Sequence, residues 1–233
     1  MSGNVAGFYN NFAADQAETG VNERHFSIEK WLLEFGLNET SKVLEIGCGI
    51  GTVTELILKH VRKGDVLAVD ISPKSINFAM NRLSRFDNLN LVSGDILELK
   101  LGGKYDFIVL PDVLEHIPIN QHDSLFQKLA QCLEQTGTLL IHIPNPYYLE
   151  WVHQNEPEKL QVIDQPIYSD ILLSKVYKHN LYLHFLKTYS IWIDNCDYQI
   201  ICLKLKNQTD YRPITPVKVS YLQRALGWLK KLT

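Results

Sequence analysis

The chain has 233 residues, 45% of them hydrophobic, and a formal net charge of −3. That length suits one α/β domain with room for an insertion, and that apolar fraction supports a sizeable core. The charge gives no electrostatic reason to expect a nucleic-acid partner, and no apolar stretch reaches the roughly 18 residues needed to span a bilayer.

The start, Met1-Ser2-Gly3-Asn4-Val5, lacks the basic-then-apolar shape of a signal peptide. The four cysteines, Cys48, Cys132, Cys196 and Cys202, are scattered and form no C-x-x-C pair. They read as small reduced hydrophobes in a cytoplasmic protein, not as disulfides or metal ligands. No cluster has metal-ligand spacing, so no catalytic metal is expected.

Residues 1–22 hold Phe8-Tyr9-Asn10-Asn11-Phe12 and then a polar run, an irregular arm or short helix. Residues 23–36 read as a helix whose apolar face is Phe26, Ile28, Trp31, Leu32 and Phe35. Val43-Leu44-Glu45-Ile46 is a buried strand, followed by Gly47, Gly49 and Gly51 at every second position and then a helical period from Val53. Glycines let the backbone turn tightly and approach a ligand closely. The helix behind them points free N–H groups and its positive dipole end at that ligand.

Val66-Leu67-Ala68-Val69-Asp70 is the second strand, and Ser72-Pro73 opens the next helix with a cap and a first-turn proline. Asp70 follows Gly51 by 19 residues, close to the roughly 20-residue offset at which an acid grips ribose hydroxyls in such folds. Leu89–Val92 is the third strand, leading into Ser93-Gly94-Asp95-Ile96. The fourth, Tyr105–Leu110, runs into Pro111-Asp112-Val113-Leu114-Glu115-His116-Ile117. A helix carrying Leu125, Phe126, Leu129, Ala130 and Leu133 is expected to stop near Gly137, and Thr138–Ile143 is the fifth strand.

Two strands close the reading, Thr188–Ile193 and Tyr198–Leu205, joined by Asp194-Asn195-Cys196-Asp197. Four residues cannot hold a crossover helix, so this pair is antiparallel. Val217 to Leu232 reads as a terminal helix whose charges are all basic. It suits docking on the body, a homodimer contact, or a membrane surface, the last not favoured.

The glycine spacing departs from the Gly-x-Gly-x-x-Gly dinucleotide fingerprint. With Glu45 two places before Gly47, it resembles motif I of the class I S-adenosylmethionine-dependent methyltransferases. Asp112 to Ile117 resembles the (D/E)-V-L-E-H-(I/V) segment of their small-molecule, ubiquinone-type O-methyltransferase branch. That resemblance implies an α/β, doubly wound, Rossmann-like fold: a seven-stranded, mostly parallel sheet with an antiparallel last strand. It divides the chain into a lid segment (1–36), a core (37–206) with an acceptor-pocket insertion at about 144–186, and a linker with a terminal helix (207–233).

The same resemblance assigns the site. S-adenosyl-L-methionine, with S-adenosyl-L-homocysteine as product, would be held by Tyr9, Arg24, Glu45, Gly47, Cys48, Gly49, Gly51, Asp70, Ile71, Asp95, Ile96, Leu110 and Pro111. Arg24 would pair with its carboxylate, Asp70 would take the ribose, and Asp95 and Ile96 the adenine. His142, Asn145, Tyr147 and Tyr148 are placed on the acceptor side. His116 is the leading general base for a hydroxyl acceptor, ahead of His142 and His153. Glu115 is adjacent in the chain and is not expected to face it. The function implied is methyl transfer to a small molecule, at a hydroxyl oxygen. N-methylation of a small metabolite, a cofactor-binding protein without turnover, and an NAD-dependent oxidoreductase stay open as alternatives.

Overall fold

The computed structural model describes residues 20–206. Tyr9, the stretch around it and the segment read as a basic terminal helix lie outside those residues. Helix α1 (Glu23–Glu34) precedes strand β1 (Val43–Ile46), followed by α2 (Thr52–His60), β2 (Val66–Asp70), α3 (Pro73–Arg82) and β3 (Leu89–Ser93). Next come β4 (Tyr105–Pro111), α4 (His122–Cys132) and β5 (Leu133–Pro144). Helices α5 (Pro146–Asn155) and α6 (Ser169–Val176) lead to β6 (Leu181–Tyr189) and β7 (Tyr198–Leu205).

The strands form one sheet in the order β3-β2-β1-β4-β5-β7-β6, with β7 antiparallel to both neighbours and the other pairs parallel. The strand order reverses between β1 and β4. A crevice opens there, beyond the carboxyl ends of the strands, and it is where ligands bind in open α/β sheets. Strands β1 and β4 are buried on both faces, as parallel strands covered by helices must be. One core layer centres on Leu44, Ile108, Leu110, Phe126 and Ile141, the other on Ile28, Leu32, Ile57, Val109 and Ile200.

Helix α1 is fixed by aromatics. Trp31 lies 5.2 Å from Phe185 of β6, centroid to centroid, and Ser27 Oγ donates to the Tyr189 hydroxyl at 2.7 Å. Ile28, Trp31 and Leu32 are buried as the spacing predicts, but Phe26 is 46% exposed. The predicted cap of α3 is present: Ser72 accepts from the Ser75 N–H at 3.1 Å, with Pro73 in the first turn.

Three boundaries differ from the expectations. Strand β6 spans Leu181–Tyr189, not 188–193, and its link to β7 is correspondingly longer. This edge strand mixes exposed and half-buried residues, so its alternation is weak, whereas the apolar run Ile191-Trp192-Ile193 lies in the connection. Helix α4 ends at Cys132 rather than near Gly137, and β5 takes up its chain at Leu133. There Leu133 pairs with Tyr105, so hydrogen bonding to β4 extends a strand across polar residues.

Candidate active site

A cavity of about 730 Å³ occupies the crevice at the β1/β4 reversal. Its floor is the glycine turn. Gly47, Gly49 and Gly51 all have positive φ, at 78°, 53° and 83°. Gly51 is the N-cap of α2, and a Cβ there would fall 2.6 Å from Leu83 Cδ1. A Cβ on Gly47 would fall 2.1 Å from Val113 Cγ2, so that glycine lets the β4 loop close over the turn.

Asp70 ends β2 with its carboxylate held by two backbone amides. Gly49 N–H donates to Oδ2 and Ser72 N–H to Oδ1, each at 2.8 Å. Burial pushes its pKa up, and the two amides pull it down. Each oxygen keeps a second lone pair, so the fixed carboxylate can still accept from a vicinal diol. Asp95 is oriented by the Leu97 N–H, which donates to Oδ1 at 2.9 Å. Ile71, Ile96 and Leu97 supply apolar wall on either side of these acids.

Glu45 reaches the cavity from β1. It is fully buried, and neither carboxylate oxygen has a hydrogen-bond partner among the described residues. Burial raises its pKa to about 7, with Asp70 adding to the rise. Thr54, the neighbour that lowers it, falls short of hydrogen-bond geometry. A buried acceptor of this kind is costly unless a ligand donates to it.

Arg24 stands on α1 at the cavity wall, but its guanidinium is engaged with protein. Nη1 donates to Asp112 Oδ2 and Nη2 meets His25 Nε2 at 3.1 Å. Asp112 also accepts from His142 Nδ1 at 3.0 Å. His142 lies fully buried, stacked 4.8 Å from Tyr198. Burial and then Arg24 hold the pKa of His25 down to about 4 and that of His142 to about 3, so both rings are neutral at pH 7.

His116 sits in a short 3₁₀ turn after β4, on the cavity wall. Its Nδ1 donates to the Ile163 carbonyl at 2.5 Å, which places the lone pair of the neutral ring on Nε2. Glu115 Oε1 lies 3.8 Å from Nε2 and Asp164 Oδ1 3.7 Å from Nδ1, so Glu115 is nearer than chain adjacency implied. Glu115 is 2% exposed, and burial raises its pKa to about 7. Gln165 locks the inserted segment here. Its backbone N–H donates to the Glu115 carbonyl, and its side-chain amide to the carbonyls of Glu115 and Ile117.

The cavity therefore gathers Arg24, Glu45, Gly47, Cys48, Gly49, Asp70, Ile71, Asp95, Ile96, Pro111 and His116. Gly51 lies beneath it as the cap of α2. Leu110 is fully buried in the core instead, because strand alternation turns it away from the crevice. His142, Asn145, Tyr147 and Tyr148 are not on the wall either. Asn145 caps α5, accepting from the Tyr147 N–H, and Tyr147 is 71% exposed. Sequence reading missed Asp112, Gln161 and Tyr198, which are on the wall. Tyr198 begins β7 beside Pro144 of β5, a placement that only the antiparallel register reveals.

Residues 43–137 match the family model described as "Methyltransferase domain". The fold is that of a class I methyltransferase. A solved S-adenosylmethionine-dependent methyltransferase from Clostridium acetobutylicum superimposes with a TM-score of 0.67 at 17% identity, covering 85% of this chain and 99% of that one. Among curated relatives, a malonyl-[acyl-carrier protein] O-methyltransferase of Priestia megaterium is 34% identical over 103 residues, covering 44% of this chain and 36% of its own. A phosphoethanolamine N-methyltransferase of Plasmodium falciparum is 33% identical over 118 residues, covering 48% and 42%. The chain thus spans less than half the length of either relative. The residues present would fit S-adenosylmethionine: a glycine turn, a diol-accepting Asp70 and a buried Glu45 without a partner among the described residues face one cavity. Among the described residues no group of acidic, histidine or cysteine side chains has the geometry of a metal site, and no helix is long and apolar enough to cross a membrane.

Proposed function

We propose that this chain is an S-adenosylmethionine-dependent methyltransferase acting on a small molecule at a hydroxyl oxygen. The observation that carries the reading is Asp70, fixed by the Gly49 and Ser72 amides at the mouth of the glycine turn. Asp70 binds the ribose diol, Asp95 and the Ile96 backbone the adenine, and Glu45 the amino end of the methionine part. Arg24 reaches the carboxylate with donors that Asp112 leaves unused.

When bound, the cofactor supplies a methyl on a positively charged sulfur, and the S–C electron pair returns to sulfur as the acceptor oxygen takes the methyl. The protein's part is alignment, exclusion of water and proton removal. His116 Nε2 takes the hydroxyl proton, and the Ile163 carbonyl holds the ring in the tautomer that can do so. A cytoplasmic location is supported by four unpaired cysteines, three of them buried. A small acceptor rather than nucleic acid fits the net charge of −3 and a cavity wall with, among the described residues, a single arginine.

Calorimetric titration with S-adenosylhomocysteine tests the reading. The wild type should bind, and Asp70→Ala should bind at least tenfold more weakly, the loss of one charge-assisted diol contact. Equal affinity of the two proteins would overturn it.

A further inference from the structure

Charge on the cavity wall is strongly one-sided. Among the described residues it holds one arginine and no lysine, against the carboxylates of Asp70, Asp95, Glu98 and Asp112 and the buried Glu45, whose pKa is raised to about 7. The arginine, Arg24, is bonded to Asp112. If Arg24 turned wholly to the cofactor's carboxylate, Asp112 would keep only the neutral His142 as partner and the far end of the cavity would become more negative. Either way, among the described residues the wall keeps no lysine or second arginine for another anion.

The end around His116 repeats the pattern. Asp164 and Glu115 flank its ring at 3.7 and 3.8 Å. His25 and His142, the other rings near Arg24, are uncharged at neutral pH. Gln161 on this wall has a buried Oε1 without a hydrogen-bond partner among the described residues. That atom calls for a ligand N–H or O–H.

We propose that the methyl acceptor is uncharged or cationic beside its reacting atom, an alcohol, phenol or amine, and that the site rejects acceptors carrying a carboxylate or phosphate there. The inference rests on the reading of this cavity as a methyl-transfer site. An anion would have to shed its water next to Asp112 with no positive partner, which costs more than any hydrogen bond it could form. Repulsion of the wrong ligand is as effective a source of specificity as attraction of the right one. The chemistry agrees: a carboxylate acceptor has no proton to lose, so a base at His116 would have no task.

Matched probes test this on protein saturated with S-adenosylhomocysteine. Catechol is compared with 3,4-dihydroxybenzoate, and ethanolamine with phosphoethanolamine, each by calorimetry. The member without the acidic group should bind at least tenfold tighter in both pairs. In Asp112→Asn, which releases Arg24, the gap should shrink. Equal or tighter binding of the anionic member in either pair would overturn the inference. Failure of S-adenosylhomocysteine itself to bind would instead remove the methyltransferase reading, so the two failures are distinguishable.

Discussion

Asp112 and His142 are joined twice. The Asp112 N–H donates to the His142 carbonyl at 2.8 Å, and His142 Nδ1 meets Asp112 Oδ1 at 3.0 Å. Asp112 also adopts φ of 53°, in the left-handed region. One residue therefore ties together α1 through Arg24, the end of β4, and β5. Asp112→Asn keeps a side chain that tolerates this backbone and loses only charge. It should cost about 1–2 kcal/mol, because Arg24 is a quarter exposed and water shares the ion pair. Asp112→Ala should cost about 1 kcal/mol more from backbone strain. Urea unfolding of both variants checks the order, and equal midpoints would show that the conformation is unstrained.

Gly51→Ala should destabilise by about 1–3 kcal/mol, since a Cβ would strike Leu83 and the backbone disfavours any side chain. Moving α2 also displaces the glycine turn, so S-adenosylhomocysteine affinity should fall with stability. Thermal unfolding with and without that ligand reads both effects.

Turnover should depend on His116 more than binding does. His116→Ala should lower kcat by about 10²- to 10⁴-fold, with S-adenosylhomocysteine affinity changed by less than about threefold. An unchanged rate would leave His116 as a wall residue and make catalysis a matter of positioning.

Glu45 and Glu115 give stability a pH dependence of definite sign. Burial lifts each from its ordinary 4.5 to about 7 in the folded state. The folded protein holds these protons more tightly than the unfolded chain. Their contribution is therefore complete below pH 4.5 and is lost as pH rises through 7. Glu45→Gln removes one of the two. Relative to wild type, it should gain about 2–3 kcal/mol between pH 5 and pH 8. Chemical unfolding at the two pH values measures it, and a pH-independent difference would mean that Glu45 is ionised in its pocket.

His142 contributes the opposite slope. Its folded pKa of about 3 lies below the ordinary 6.5, so its contribution is present above pH 6.5 and is lost as pH falls toward 3. His142→Gln should flatten the acid limb of the stability profile while leaving the limb above pH 7 unchanged. Unfolding midpoints at pH 4 and pH 7.5 give the comparison.

The parts of the fold that were legible in the sequence are those dictated by local chemistry. The glycine turn, the Ser72-Pro73 cap and the buried parallel strands each announce themselves within ten residues. The antiparallel β7 followed from a connection too short for a helix, even though β6 was placed seven residues late. Edge strand β6 carries Tyr182, His184 and Lys187 among its apolar residues, so no clean period marks it. On the site side, Asp70 and the glycines were readable by spacing. Arg24 with Asp112, 88 residues apart, and His116 with Ile163, 47 apart, were not. Their meeting depends on how α1 and the inserted segment dock, which no local pattern encodes. His142 lies in the core rather than on the cavity wall, and sequence could not say so, since a buried neutral imidazole and a pocket imidazole occupy the same strand position.

Gln165 clasps the inserted segment to the turn after β4 by gripping main-chain oxygens of Glu115 and Ile117 rather than their side chains. Such a clasp is indifferent to which residues stand on either side of it. Gln161 and Ile163 can therefore be exchanged to reshape the chamber while its walls stay in register, which makes this stretch the natural place to retune which molecule the cavity accepts.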